Sequence, residues 1–157
     1  MFWEKVNEKL IFVNADEKTR DEVFDKVGGE LVRSGNCKES FVGALKEREK
    51  VFPTGILVGE TGVAIPHTDP EHIKDSAIAI ATLKEPVNFY HMGTNPQEDV
   101  KVPVTLVIML AIAGRSHLDM LQNAIQLIQD QEVVHQLLKA QDAKEIIKII
   151  KNKEEKQ

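Results

Sequence analysis

The sequence predicts an α/β fold: one domain, with a central sheet covered by helices. Two apolar runs, residues 77–83 and 102–110, are hydrophobic on both faces and bounded by turn residues, the pattern of buried central strands. Between and around them lie stretches whose apolar residues recur at three- and four-residue spacing, the period of amphipathic helices. The 157 residues suffice for one domain with a sizeable core, and no repeat, low-complexity segment or boundary interrupts them. The expected domain is therefore 1–157, with the charged tail 151–157 frayed.

In chain order, Leu10 to Val13 reads as a short strand, and Asn14 to Asp16 as the cap of a following helix. Val23, Val27 and Leu31, with Phe24 beside them, define that helix, which ends near Ser34, Gly35 and Asn36. A second helix is expected over 38–50. Phe41 and Leu45 face the core there; Lys46, Glu47, Glu49 and Lys50 are mostly solvated, and Arg48 sits at the edge of the apolar stripe. A glycine-rich loop follows, with Gly55, Gly59 and Gly62, and it runs into Val63, Ala64 and Ile65. After the strand at 77–83, Val87 to Phe89 reads as a short strand and 92–99 as a loop. Pro103 belongs at the start of the strand at 102–110, where no ladder bond is lost. Leu118, Leu121, Ile125 and Ile128 then mark a helix capped by Ser116, and two further helices carry Val133 to Leu138 and Ile146 to Ile150.

Composition narrows the function. The hydrophobic fraction of 42% and charged fraction of 29% are ordinary for a globular protein, and the net charge of -5 argues against a general nucleic-acid binder. Cys37 is the sole cysteine, so no internal disulfide forms. Charges occupy the N-terminal segment where a signal peptide needs an apolar run, and the longest apolar run, 102–113, is too short to span a bilayer. A cytoplasmic protein without membrane insertion is expected.

The chemistry concentrates on His67. Ile65 and Pro66 deliver it in a restricted way, because proline fixes its own φ and holds its predecessor extended. A neutral imidazole is nucleophilic near pH 7; the plainer alternative is a loop histidine with a structural hydrogen bond. His117 opens the helix after the second core strand, where backbone N–H groups favour anions, although a cap or surface residue also belongs there. Arg48 offers a guanidinium suited to phosphate oxygens, or else a weak helix-end ion pair. His67, Asp69, Glu71 and His72 offer mixed ligands for a metal-dependent hydrolase, but without a standard zinc spacing. Cys37 has no local signature of a nucleophile. Gly59 to Gly62 is not followed by Gly-Lys-Ser/Thr and is no nucleotide phosphate loop.

Taken together, Arg48-Glu49-Lys50, Pro53-Thr54-Gly55-Ile56, Gly59-Glu60 and Val63-Ala64-Ile65-Pro66-His67 resemble the phosphorylation region of the enzyme IIA components of the sugar phosphotransferase system, in the fructose/mannitol superfamily. The likeness continues through Ser76 to Ile80, Pro86 to Phe89, Leu106 to Ile108 and His117-Leu118, so it covers most of the chain. The segment Phe52 to Ile56 is most similar to the galactitol-type branch. Three departures stand out: His117, which some galactitol-type members lack; Thr68, where a glycine often follows the histidine; and a longer Arg48-to-His67 spacing than in the mannitol branch.

The resemblance implies a mixed sheet with helices on both faces, and a phosphotransferase with a phosphohistidine intermediate. His67 matches the phosphorylated residue, Arg48 the arginine near the phosphoryl group, and His117 a second active-site histidine. The implied partners are the histidine phosphocarrier protein as donor and a cysteine of enzyme IIB as acceptor, and through it membrane enzyme IIC. No cofactor and no metal are implied, because the phosphoryl group arrives already on a protein. The implied role is uptake of a sugar or polyol, galactitol first among them; a regulatory, nitrogen-type enzyme IIA shares the Ala-Ile-Pro-His motif. Both partners must cover His67 in turn, so an exposed apolar rim including Phe52 and Ile65 is expected around it.

Overall fold

Five strands form one mixed sheet in the order β1-β4-β5-β3-β2 in a computed structural model that describes residues 2–114 and 117–156. The side chain of His117 lies outside the described residues, as does the expected cap Ser116. The strands are β1 (Val6–Ala15), β2 (Gly55–Val58), β3 (Thr61–Ala64), β4 (Ala77–Tyr90) and β5 (Lys101–Ala111). β4 pairs parallel to β1 and antiparallel to β5; β5 pairs parallel to β3, and β3 antiparallel to β2.

Helix α1 covers residues 20–33 and contains a π-helical segment, Phe24–Gly28; α2 is Phe41–Val51. Both pack on one face of the sheet. The helices α3 (His117–Ile128), α4 (Gln131–Lys139) and α5 (Ala143–Glu155) pack on the other. The period-two alternation of β4 and β5 sorts the core. Ala77, Ala79 and Ala81 with Val107 and Met109 meet Phe24, Leu31, Phe41 and Leu45 of α1 and α2. Ile78, Ile80, Leu106, Ile108 and Leu110 meet α3, α4 and α5 through residues such as Ala124, Leu137 and Ile146. Over residues 77–81 of β4, alanines thus face one helical layer and isoleucines the other.

Several expectations are corrected. β1 begins at Val6, and Asn14 adopts φ 54° inside it; the helix cap is Thr19, whose hydroxyl accepts from Glu22 N at 3.1 Å. The two strands expected at 77–83 and 87–89 are one strand with an irregular register between Thr82 and Val87. The glycine-rich loop is a β2–β3 hairpin, turned at Gly59 with φ 62°. Its four-residue strands are too short for periodicity to register. On α3, Leu118 is 61% exposed, and Met120, Ala124, Leu127 and Ile128 are the buried positions. The tail expected to fray is helical to Glu155. It is held from outside the helix: Glu154 accepts from Phe2 N at 3.0 Å and from Trp3 N, and Lys151 sits 4.7 Å above the Trp3 ring.

Candidate phosphoryl-transfer site

His67 stands just past the end of β3, where the chain continues against β5. Leu110 N donates to Pro66 O at 2.9 Å, and an isolated parallel bridge joins His67 to Leu110. On the other side Ile65 N donates to Thr54 O at 3.3 Å. β3 itself lies tight on β5: a Cβ on Gly62 would come 2.1 Å from Pro103 O, so only glycine fits that approach. Residues 65–67 are therefore strung between β5 and the entrance of β2. Ile65 is fully buried (0% exposed), which removes it from the expected apolar rim.

The imidazole is half-buried and borders an open groove of about 800 Å³, whose walls include Phe52, Pro53, Thr54, Met92, Asn95 and Leu121. His67 Nδ1 lies 2.9 Å from Ile65 O. A carbonyl only accepts, so Nδ1 carries the proton in the neutral ring and the lone pair resides on Nε2. This assigns the acceptor that holds the tautomer, which the residues alone did not name.

Arg48 lies in the last turn of α2. Its Nη1 is 3.5 Å from Asp69 Oδ1, two residues beyond His67, and its guanidinium carbon is 5.0 Å from the centre of the Phe52 ring. Arg48 Nε is buried with no hydrogen-bond partner among the described residues. Phe52 itself is 59% exposed, as expected of the rim. His117 begins α3, and Leu121, one turn on, lines the groove, so the helix that carries His117 borders the site.

The other candidates go elsewhere. His72 Nδ1 bonds Ser40 Oγ at 2.8 Å and its Nε2 is 3.4 Å from Glu71 Oε1. Among the described residues, no three or more His, Cys, Asp or Glu side chains converge as metal ligands, His67, Asp69, Glu71 and His72 included. Cys37 is buried, and burial pushes its thiol up to about 12.

Glu49 is the residue that sequence reading missed. Expected in solvent, it is 3% exposed. Its Oε2 accepts from Thr54 N at 2.7 Å and its Oε1 from Thr54 Oγ1 at 2.8 Å. Burial pushes its carboxyl up to about 7, against the opposing pull of the Thr54 bonds and of Arg20 and Arg48. A signal was present: Phe41, Leu45 and Glu49 follow one another at four-residue spacing, so the carboxylate continues the buried stripe of α2.

The galactitol-specific EIIA component of Escherichia coli K12 is 33% identical over 120 residues, covering 76% of this chain and 77% of that protein. The mannitol-specific enzyme IIA component of Staphylococcus aureus Mu50 is 31% identical over 141 residues, covering 87% of this chain and 88% of its own. Among solved structures, the E. coli complex of mannitol enzyme IIA with phosphorylated enzyme IIB contains a chain of the same fold. The TM-score is 0.77 at 22% identity, over 93% of this chain and 96% of that one. The model of the family "Phosphoenolpyruvate-dependent sugar phosphotransferase system, EIIA 2" matches residues 4–153, and the chain belongs to that family.

Proposed function

We propose that the chain is a phosphocarrier that takes a phosphoryl group on Nε2 of His67 and passes it on for the uptake of a sugar or polyol. The observation that carries this reading is the Nδ1 bond to Ile65 O, which directs the basic nitrogen of a half-buried histidine in an open groove. The donor is the phosphohistidine of the histidine phosphocarrier protein: its N–P bond breaks as the bond to Nε2 forms, and the donor imidazole keeps the electron pair. The group then passes to a cysteine thiolate of enzyme IIB, consistent with the complex known for the E. coli mannitol protein.

Phosphoryl transfer of this kind proceeds through a loose transition state, so the protein positions the reactants and stabilises charge. Arg48 serves as the cation beside the transferring group, released from its long contact with Asp69, and His117 as a second donor from the start of α3. The acceptor and donor proteins bring the chemistry, so no cofactor or metal is assigned. The relatives named for galactitol and mannitol leave galactitol as the first substrate to test. The setting is cytoplasmic; among the described residues no helix is long and apolar enough to cross a membrane.

Intact-mass spectrometry tests the reading, with phosphoenolpyruvate, enzyme I and the phosphocarrier protein under non-acidic conditions. One phosphoryl group on the wild type and none on His67→Ala is the expected result. An unmodified wild type, or a modified His67→Ala, overturns it. Faster onward transfer to a galactitol-type than to a mannitol-type enzyme IIB then assigns the branch, and the reverse order refutes galactitol.

A further inference from the structure

A buried carboxylate is costly, and the fold alone gives no reason for Glu49: the stripe that it continues is otherwise apolar, and a leucine would fill the position. What the carboxylate touches is Thr54, at the entrance of β2 and in the wall of the His67 groove. From there a continuous series of bonds leads to the imidazole. Glu49 accepts from Thr54 N at 2.7 Å; Thr54 O accepts from Ile65 N at 3.3 Å; Ile65 O faces His67 Nδ1 at 2.9 Å.

Each link orients the next peptide. The carboxylate fixes Thr54 through both its N–H and its hydroxyl, a two-point hold that a single bond would not give. The Thr54 carbonyl, on the peptide that follows the held N–H, in turn sets where Ile65 N–H points. The Ile65 N–H and carbonyl lie on successive peptides joined at one Cα, so a shift at the N–H passes through the φ and ψ of Ile65 to the acceptor that holds the ring.

We propose that Glu49 is a positioning residue for His67, holding the imidazole orientation and its Nδ1–H tautomer through Thr54 and Ile65. The proposal rests on the phosphocarrier reading for its kinetic consequence but not for its structural one. A glutamine retains the hold: its carbonyl accepts from Thr54 N and its amide donates to the Thr54 hydroxyl. A leucine of similar size leaves both Thr54 donors without an acceptor. An aspartate keeps the charge but is one methylene short of both.

The test compares wild type, Glu49→Gln, Glu49→Leu and Glu49→Asp, each checked for folding by circular dichroism. The first readout is the pair of His67 ring-nitrogen chemical shifts at pH 8.5, which report the tautomer. The expected result is Nδ1–H dominance in wild type and Glu49→Gln, and a mixed population in Glu49→Leu and Glu49→Asp. The second readout is transfer from the phosphocarrier protein: a fall in kcat of about tenfold to a hundredfold in the same two variants, with KM within about twofold. Folded Glu49→Leu or Glu49→Asp with wild-type ring signals overturns the proposal. If Glu49→Leu does not fold, Glu49→Asp decides. If wild type takes up no phosphoryl group, the phosphocarrier reading fails, and the ring signals alone still decide whether Glu49 holds His67.

Discussion

Cys37 and His67 are placed alike and treated oppositely. Each lies outside the named strands and is pinned by an isolated bridge, Cys37 to Ile73 and His67 to Leu110. Each has a side chain capable of nucleophilic chemistry. Cys37 packs among Leu31 and Phe41 at 1% exposure, and that burial pushes its thiol up to about 12. His67 borders an open groove, with a backbone carbonyl on one nitrogen to direct the other. The bridges differ in sense, antiparallel at Cys37 and parallel at His67, but the contrast in chemical setting comes from solvent access and the local acceptor. A backbone tether fixes a side chain; the surroundings decide whether the fixed group is reactive.

The largest effect that would break this contrast concerns Cys37. With its pKa near 12 rather than about 8.5, its thiolate fraction at pH 7.5 is lower by roughly a thousandfold or more. Iodoacetamide should label the native protein slower than the urea-unfolded protein by about that factor, with steric shielding adding to it. Native labelling within tenfold of the unfolded rate, followed by mass spectrometry, would show that Cys37 is not sealed and that the comparison is misdrawn.

Glu49 sharpens the contrast because it combines both conditions, buried like Cys37 and joined by hydrogen bonds to the His67 segment. Its native carboxyl holds its proton to about pH 7, whereas the unfolded value is near 4.5. Between those values the native state binds more protons than the unfolded state, so this group's stabilising contribution is full below about 4.5 and is lost as pH rises through 7. The loss is on the order of 3 kcal/mol, roughly a few hundredfold in the folding constant. Urea unfolding of wild type and Glu49→Gln at pH 4.5, 6 and 8 isolates it. The wild-type stability should fall relative to Glu49→Gln across that series; a constant difference would mean that the carboxyl titrates normally.

How far the sequence foretold this arrangement follows the same physics. The two central strands were legible because apolar runs bounded by turn residues have few other uses, and the restricted placement of His67 at a strand end because Ile65-Pro66 precedes it. The β2–β3 hairpin was not, because four-residue strands interrupted by Gly55 and Gly62 are too short to register a period, although Ile56, Val58, Thr61 and Val63 are β-branched. The docked tail was not, because its anchors, Phe2 and Trp3, lie at the opposite end of the chain. Glu49 and Arg48 are adjacent and both charged, yet one is sealed against Thr54 and the other reaches Asp69. Composition assigns both to solvent. Only helical position separates them, since Glu49 continues the Phe41–Leu45 stripe and Arg48 lies one residue, about 100°, away from it.

The smallest effect concerns the rim of the open site. Val51 at 62% and Phe52 at 59% exposure end α2 beside the groove, and Leu118 stands exposed near the start of α3. On the proposed phosphocarrier reading, a partner that delivers a phosphoryl group covers His67 and excludes water, and part of this apolar surface would be buried in each encounter. Phe52 also carries the Arg48 guanidinium on its ring, at 5.0 Å, whereas Val51 contributes surface alone. Phe52→Ala should therefore raise KM for the phosphocarrier protein by about tenfold and lower kcat as Arg48 loses its support, while Val51→Ala should raise KM by about twofold with kcat unchanged. Equal KM values for both variants and wild type would mean that partners approach His67 from the Met92–Asn95 side of the groove, and that Phe52 serves Arg48 only.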